Sequence, residues 1–411
     1  MKTPRYVELE GRSTGFIILM ASLLILIGLG LYSALLMHSE GHIITGMTNR
    51  IVWGTPHIFA VFLIVAASGA LNVASIASVF GRKIYKPLSP LSMVLANTIL
   101  IGGLAILILD LGRPEHLLDV PVMDFFRRSV FGWNMVLYTG FIVIVGVYLW
   151  FTLELRLNKY SKVVSLFAFI WRLALTTGTG LIFGFLIARQ AYDAAILAPM
   201  FIVLSFAYGL ALFSLVLVAA YRWTGREIGD VLINRLRTLL GIFVAAALYF
   251  VFVYHLTNLY GAGNWGIEKF ILAGGNSYSK AFWIGQVLIG SVLPMLLAFM
   301  PNFKSGGALV IASLLVVIGG LAQMYVTIIG GQAYPLQMFP GKEVESIIND
   351  GGIEPYSATS YEILLGISGF AIAIFLAVFA MKVLRILPES LANKEIDPHY
   401  SAAQESAEAK A

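Results

Sequence analysis

The sequence predicts an all-α integral membrane protein with ten transmembrane helices. Three observations carry that prediction. First, 59% of the 411 residues are hydrophobic, 12% are charged and the mean hydropathy is +0.86. A soluble core cannot enclose that much apolar surface, whereas a bilayer core of about 30 Å accepts it in segments of about 20 residues. Second, the apolar residues fall into ten segments of that length. Third, several segments are apolar all round, which separates lipid-spanning helices from amphipathic surface helices and from barrel strands of about 10 residues.

The first segment, 15–36, has an uncharged run too long for a signal-peptide core. It is flanked by Glu8 and Glu10 as well as basic residues, and no small-x-small cleavage site follows, so it is expected to stay as a helix. The second, 57–80, is entered through Trp53, Gly54, Thr55 and Pro56; proline suits a first helical turn and tryptophan prefers the headgroup level. The third, 91–110, closes on Asp110. The fourth, 131–153, opens with Phe131, Gly132, Trp133 and Asn134, and the fifth, 163–188, carries Arg172 about ten residues inside. Segments 198–221, 238–258, 281–300, 306–330 and 361–384 complete the set.

Weak self-similarity organises these spans. Gly69, a basic turn at Gly81 and Arg82, and Asp110 correspond to Gly209, Gly225 with Arg226, and His255; Gly81 to Asp110 is 29 residues and Gly225 to His255 is 30. The match predicts two parallel four-helix units, spans two to five and six to nine, with peripheral first and tenth helices. The expected division is therefore 1–50 (first helix and outer loop), 51–190 (first unit), 191–335 (second unit), 336–390 (outer loop and tenth helix) and 391–411, a solvated, flexible cytoplasmic tail.

Lys and Arg count eighteen on the side of the termini and eight on the other, so the positive-inside rule places both termini in the cytoplasm. The basic inner face suits anionic lipid headgroups; no nucleic-acid partner is expected. Five of the six histidines, His38, His42, His57, His116 and His255, then share the outer face. The remaining cation, Arg172, lies near the bilayer centre at a cost of roughly 2.5 to 3.5 kcal/mol on insertion scales, and should face the bundle interior. It either ties helices together or conducts protons with Asn72, Asn97 and His255. Asn72, Asn97, Asn134, Gln286 and Gln323 are the amides at membrane depth, and such groups serve as interhelical glue as readily as a pathway. No carboxylate lies mid-helix, so a proton wire of acidic residues is incomplete. With no cysteine, the chain holds no disulfide, no thiolate-bound cluster and no c-type haem attachment, and no metal site is expected.

The outer end of the first unit gathers the chemistry. A quinone needs an apolar slot, hydrogen-bond donors for its carbonyls and a titratable group for the protons that accompany its two electrons. Histidine suits that exchange, and a neighbouring aspartate orients and retunes it. His57 with Asp110 is the expected reactive pair, within a quinone site formed with Trp53, Arg113, Trp133 and Asn134. The bland reading is a helix-terminal histidine and aspartate that only cap and solvate.

Trp53-Gly54, Ser68-Gly69-Ala70, the run Asp110-Leu111-Gly112-Arg113-Pro114 and Phe131-Gly132-Trp133 resemble the NrfD and polysulfide-reductase (PsrC-like) membrane-subunit family. Within it, the stretch from Glu40 to His116 resembles most the DsrP branch, whose complex serves sulfur metabolism. The resemblance implies a prokaryotic inner-membrane subunit that exchanges electrons between menaquinone or ubiquinone near the outer face and a periplasmic four-cluster iron-sulfur protein (DsrO-like), with proton translocation left open. It implies no haem or cluster of its own, and as further partners a periplasmic multihaem cytochrome c (DsrJ-like) and a membrane haem b subunit joined to a cytoplasmic iron-sulfur subunit (DsrM/DsrK-like). It carries over to Asp110, Arg113, Trp53 and His57. Two rivals stand beside it. A haem b cytochrome needs facing axial histidines inside the bundle, and only His57 and His255 lie in helices. A secondary transporter built from helical repeats fits the spans but needs helices interrupted at the midplane. The outer loop 331–360, with Lys342, Glu343, Glu345, Asp350 and Glu354, is either a docking surface for the soluble partner or a solvated acidic loop.

Overall fold

A computed structural model describes residues 5–113, 128–303, 305–336 and 352–397. His116, the residues beyond 397 and the loop charges Lys342, Glu343, Glu345 and Asp350 lie outside the described residues. Among the described residues ten helices are long and apolar enough to cross a membrane: Thr14–Glu40, Thr55–Ser78, Lys83–Leu109, Val130–Leu153, Asn158–Gly184, Leu197–Trp223, Asp230–Tyr260, Ser277–Phe299, Gly306–Ala333 and Ser360–Val383. The protein is an all-α, multi-pass membrane protein. Its strands are two residues each, Tyr6–Val7 paired antiparallel with Leu387–Pro388, which stitches both ends of the chain together on one face.

The spans close into two rings. The second packs on the third, the third on the fourth, the fourth on the fifth and the fifth back on the second; the sixth to ninth repeat that circuit. The rings meet where the second span crosses the sixth, flanked by contacts of the fifth with the sixth and of the second with the ninth. That crossing is a joint of glycines. A Cβ on Gly69 would collide with the Ser205 carbonyl, and one on Gly209 would overlap the Gly69 to Ala70 backbone. Gly69 and Gly209 are the residues that the sequence repeat pairs, and they touch each other where the two rings meet. The first and tenth spans pack on each other, and the tenth also lies against the second and third. Burial follows from this arrangement: the second span, rich in Ala, Val, Ser and Gly, is 94% buried, and the first only 17%.

The structure corrects three boundaries. The seventh span begins at Asp230 rather than 238, so Arg237 lies in the helix rather than in a loop. Its Nη1 donates to the carbonyls of Leu297 and Phe303 at 3.0 and 2.8 Å, satisfying the end of the eighth span where a cation also complements the helix dipole. The fifth span stops at Gly184 rather than 188. The second is broken at Leu71, between Thr55–Ala70 and Asn72–Ser78. Ser92 Oγ repairs the break, donating to the Ala70 carbonyl at 2.6 Å and accepting from the Ala74 N–H at 3.1 Å, which is how a membrane helix tolerates a lost backbone bond.

Candidate functional site

The reactive pair expected from the sequence is assembled, and it is larger than a pair. The chain enters the second span through Gly54 and Pro56, which places His57 in the first turn of the helix. Asp110 is the C-terminal cap of the third span, its side chain 4% exposed. His57 Nδ1 stands 3.4 Å from Asp110 Oδ2. His42, from the short 3-10 turn His42–Ile44 after the first span, approaches from the other side: its Nε2 lies 3.1 Å from the Asp110 main-chain oxygen and 3.7 Å from Oδ1. One buried carboxylate thus sits between two imidazoles. None of these side-chain contacts is a well-formed hydrogen bond, and both His57 Nδ1 and Asp110 Oδ1 are buried without one. The Asp110 side chain raises the pKa of His42 above its ordinary 6.5, while partial burial pulls it down.

An aromatic wall backs the cluster. The Trp53 ring stacks beside His57 at 6.3 Å between centroids and meets Phe131 and Phe183 edge-on at 5.6 and 5.7 Å. Three clamps hold this entrance. Gln332, 2% exposed at the end of the ninth span, reads the Trp53 backbone both ways: Oε1 accepts from its N–H at 3.1 Å and Nε2 donates to its carbonyl at 2.9 Å. Arg189, from the turn after the fifth span, donates to the main-chain oxygens of Gln332 and Arg50 at 2.7 and 2.6 Å. Glu362, fully buried in the first turn of the tenth span, accepts from Gly46 N–H, Thr359 N–H and the Tyr356 hydroxyl at 3.0, 2.9 and 2.6 Å. Tyr356 in turn accepts the Thr55 N–H at 2.7 Å. Gly54 is required there, because a Cβ would collide with the Glu362 carboxylate. Burial and the Glu362 carboxylate raise the pKa of Tyr356.

Two expected members are elsewhere. Trp133 is 48% exposed on the outside of the bundle, because the next residue, Asn134, turns inward and helical geometry places its predecessor on the far side; Phe131 takes the place beside Trp53. Arg113 is exposed in the loop beyond Asp110. Asn134 is buried, but its Nδ2 is occupied by the Val130 and Gly178 carbonyls, both at 2.9 Å, which ties the fourth span to the fifth.

Deeper in the first unit Arg172 is 2% exposed. Its Nη1 donates to the Ser68 carbonyl at 3.3 Å, its guanidinium lies over the Phe169 and Phe206 rings at 4.9 and 5.2 Å, and its Nε is buried without a hydrogen bond. Asn72 is buried with Nδ2 unpartnered, and Asn97 Nδ2 donates to the Ile142 carbonyl at 3.2 Å. His255 lies in the second unit. Its Nδ1 is 2.7 Å from Oε2 of Glu268, a fully buried residue whose Oε1 accepts from Asn258 Nδ2 at 2.9 Å. Sequence reasoning missed His42 as a direct partner of Asp110, and missed Gln332, Tyr356, Glu362 and Glu268. The spacing of Thr359 and Glu362, a helix-capping box, was a usable signal for one of them. Among the described residues no group of three or more acidic or imidazole side chains is placed to hold a metal ion.

Fold and cluster define a polytopic membrane protein of two four-helix units with a histidine-aspartate site at one face. The chain belongs to the family described as polysulphide reductase, NrfD, whose profile matches residues 44–335. It is 28% identical to the Hdr-like menaquinol oxidoreductase integral membrane subunit of Archaeoglobus fulgidus, over 95% of this chain and 99% of the relative. It is 23% identical to a subunit of the selenate reductase of Mesobacillus selenatarsenatis, over 74% of this chain and 80% of the relative.

Proposed function

We propose that this chain is the quinone-reactive membrane subunit of a redox complex. The observation that carries the reading is the cluster His42, Asp110 and His57, a buried carboxylate between two imidazoles beside an aromatic wall at a membrane face, with two of its polar atoms left without hydrogen bonds. The name of the Archaeoglobus relative, a menaquinol oxidoreductase membrane subunit, supports menaquinol as the substrate. Oxidation of a quinol releases two electrons and two protons. Among the described residues His57 Nε2 has no hydrogen-bond partner, so it is free to accept a proton from a quinol hydroxyl, while the Asp110 carboxylate at Nδ1 stabilises the imidazolium so formed. His42, on the other oxygen of Asp110, passes the charge towards the surface. The reverse sequence delivers protons to a quinone. The electrons pass to or from a partner, since the chain has no cysteine to hold a cluster.

In this reading the His57 face is periplasmic, both termini are cytoplasmic and the membrane is the prokaryotic inner membrane. The assembly is DsrP-like, with an iron-sulfur protein and a multihaem cytochrome c outside and a haem b subunit with its iron-sulfur partner completing it. Arg172, Asn72, Asn97 and His255 form the proposed proton route; an Arg172→Ala variant that leaves electron transfer and any pH gradient unchanged counts against it. The deciding experiment is quinol-dependent turnover of the assembled complex carrying His57→Gln or Asp110→Asn, with full turnover in both overturning the assignment. The second reading, a secondary transporter, is favoured by the break at Leu71, and copurification with an iron-sulfur protein separates the two.

A further inference from the structure

The second unit carries at its centre a polar side chain that the fold leaves alone. Gln286 is 4% exposed, and neither its Oε1 nor its Nε2 has a hydrogen-bond partner among the described residues. It stands in the π-helical stretch Ala281–Val292 of the eighth span, whose wider turns are common at functional positions in membrane and soluble helices alike. It borders a gap of about 20 Å³ that is also lined by Tyr208, Ala247, Gly290, Gly319 and Gln323. The gap has a cause in the sequence. Gly290 and Gly319 bring the eighth and ninth spans together backbone to backbone, so that a Cβ on Gly319 would overlap the Gly290 Cα, and at these two lining positions neither helix has a side chain to fill the gap.

An amide buried with both ends unpaired is among the costliest things a membrane interior can hold, and native structures leave few such groups unexplained. The gap has room for one water molecule, which needs two to four polar partners. The lining supplies them: the carbonyl and amino ends of Gln286, and Gln323, whose Nε2 donates to Thr327 Oγ1 at 3.2 Å and whose carbonyl oxygen remains available. No carboxylate lines the gap, which argues for a neutral ligand over a metal cation requiring several oxygen ligands. We propose that this gap is a water-binding site, one ordered water held between Gln286 and Gln323 at the heart of the second unit. The proposal is independent of the quinone reading.

Pulsed hydroxyl-radical labelling of the full chain in lipid nanodiscs, in water enriched in oxygen-18 and read by mass spectrometry, tests it, because radicals form from water at the site itself. Tyr208, 4% exposed, is expected to be labelled, with slow uptake of the heavy isotope. Gln286→Leu, which removes the partner, and Ala247→Leu, which fills the gap, are each expected to bring that labelling to background while exposed Trp265 is labelled as before. Thermal melting gives a second readout of opposite sign for the two cases. With water present, Gln286→Leu lowers the midpoint; in a dry gap it removes an unpaired amide and raises it. Background labelling of Tyr208 in the unaltered protein, unchanged labelling in both variants, or a raised midpoint overturns the proposal, and the first of these needs no variant to fold.

Discussion

Each four-helix unit ends, on the same membrane face, in an imidazole set against a carboxylate, and the two are built in opposite ways. In the second unit His255 and Glu268 meet at 2.7 Å, Asn258 completes the carboxylate, and the rings of Tyr254 and Phe282 close over the histidine edge-on at 4.9 and 4.8 Å. In the first unit the carboxylate of Asp110 stands 3.4 and 3.7 Å from its two imidazoles, and atoms on both sides of that contact lack hydrogen bonds. The closed pair is what a protein does with buried polar groups when it needs only to be stable. The open cluster holds unsatisfied polar atoms at a real cost, and that pattern marks a site waiting for a ligand. Of two groups that look alike in composition, the looser one is the one proposed here as the quinone site.

Substitutions put this contrast to the test. Asp110→Asn should lower quinol turnover by about 10²- to 10⁴-fold, the usual worth of a positioned general base, because it removes the carboxylate that stabilises the His57 imidazolium, with little change in melting temperature; Glu268→Gln should leave turnover nearly intact, and a reversal of these results would exchange the roles of the two units. Glu268→Ala should instead destabilise the protein by about 3 to 5 kcal/mol in melting or denaturation, since it strands His255 and Asn258 in a buried setting. Gln332→Leu, which leaves the Trp53 N–H and carbonyl unpaired, should cost about 1 to 3 kcal/mol in stability and raise the KM for quinol more than it lowers kcat, because it loosens the wall rather than the acceptor. The smallest effect is in pH. Asp110 raises the pKa of His42 above 6.5, so its stabilising contribution is complete below about 6.5 and is lost as pH rises through the higher folded value. A melting series from mildly acidic to alkaline pH should show that decline, and His42→Gln should flatten it.

The ten spans were legible because lipid forces every backbone polar group into a helix and leaves only length and apolarity to read. The pair His57 and Asp110 was legible because both sit at helix ends beside recognisable runs. What was not legible is what crosses between distant segments. Gln332 reaches Trp53 over 279 residues of sequence and Glu362 reaches Gly46 over 316, and neither spacing leaves a periodic trace. Trp133 was misplaced for a local reason: counting residues from a span's start says how deep a side chain lies but not which way the helix turns it. Glu268 escaped notice because it stands in a connection, Trp265–Glu268, which looked like loop until the structure folded it against His255.

The glycine joint at Gly69 and Gly209 has a mechanical meaning. A carrier that alternates access must rock one repeat against the other, so that the surfaces on either side of their contact line part and close in each cycle. Here the two repeats touch main chain to main chain where the rings meet, and even one added methyl group would collide with the facing backbone. Such a seam fixes the closest spacing of the two rings at this joint. For the proposed redox role, a joint of this kind suits a constant separation between the quinone site and the redox centre of a partner docked on the same face.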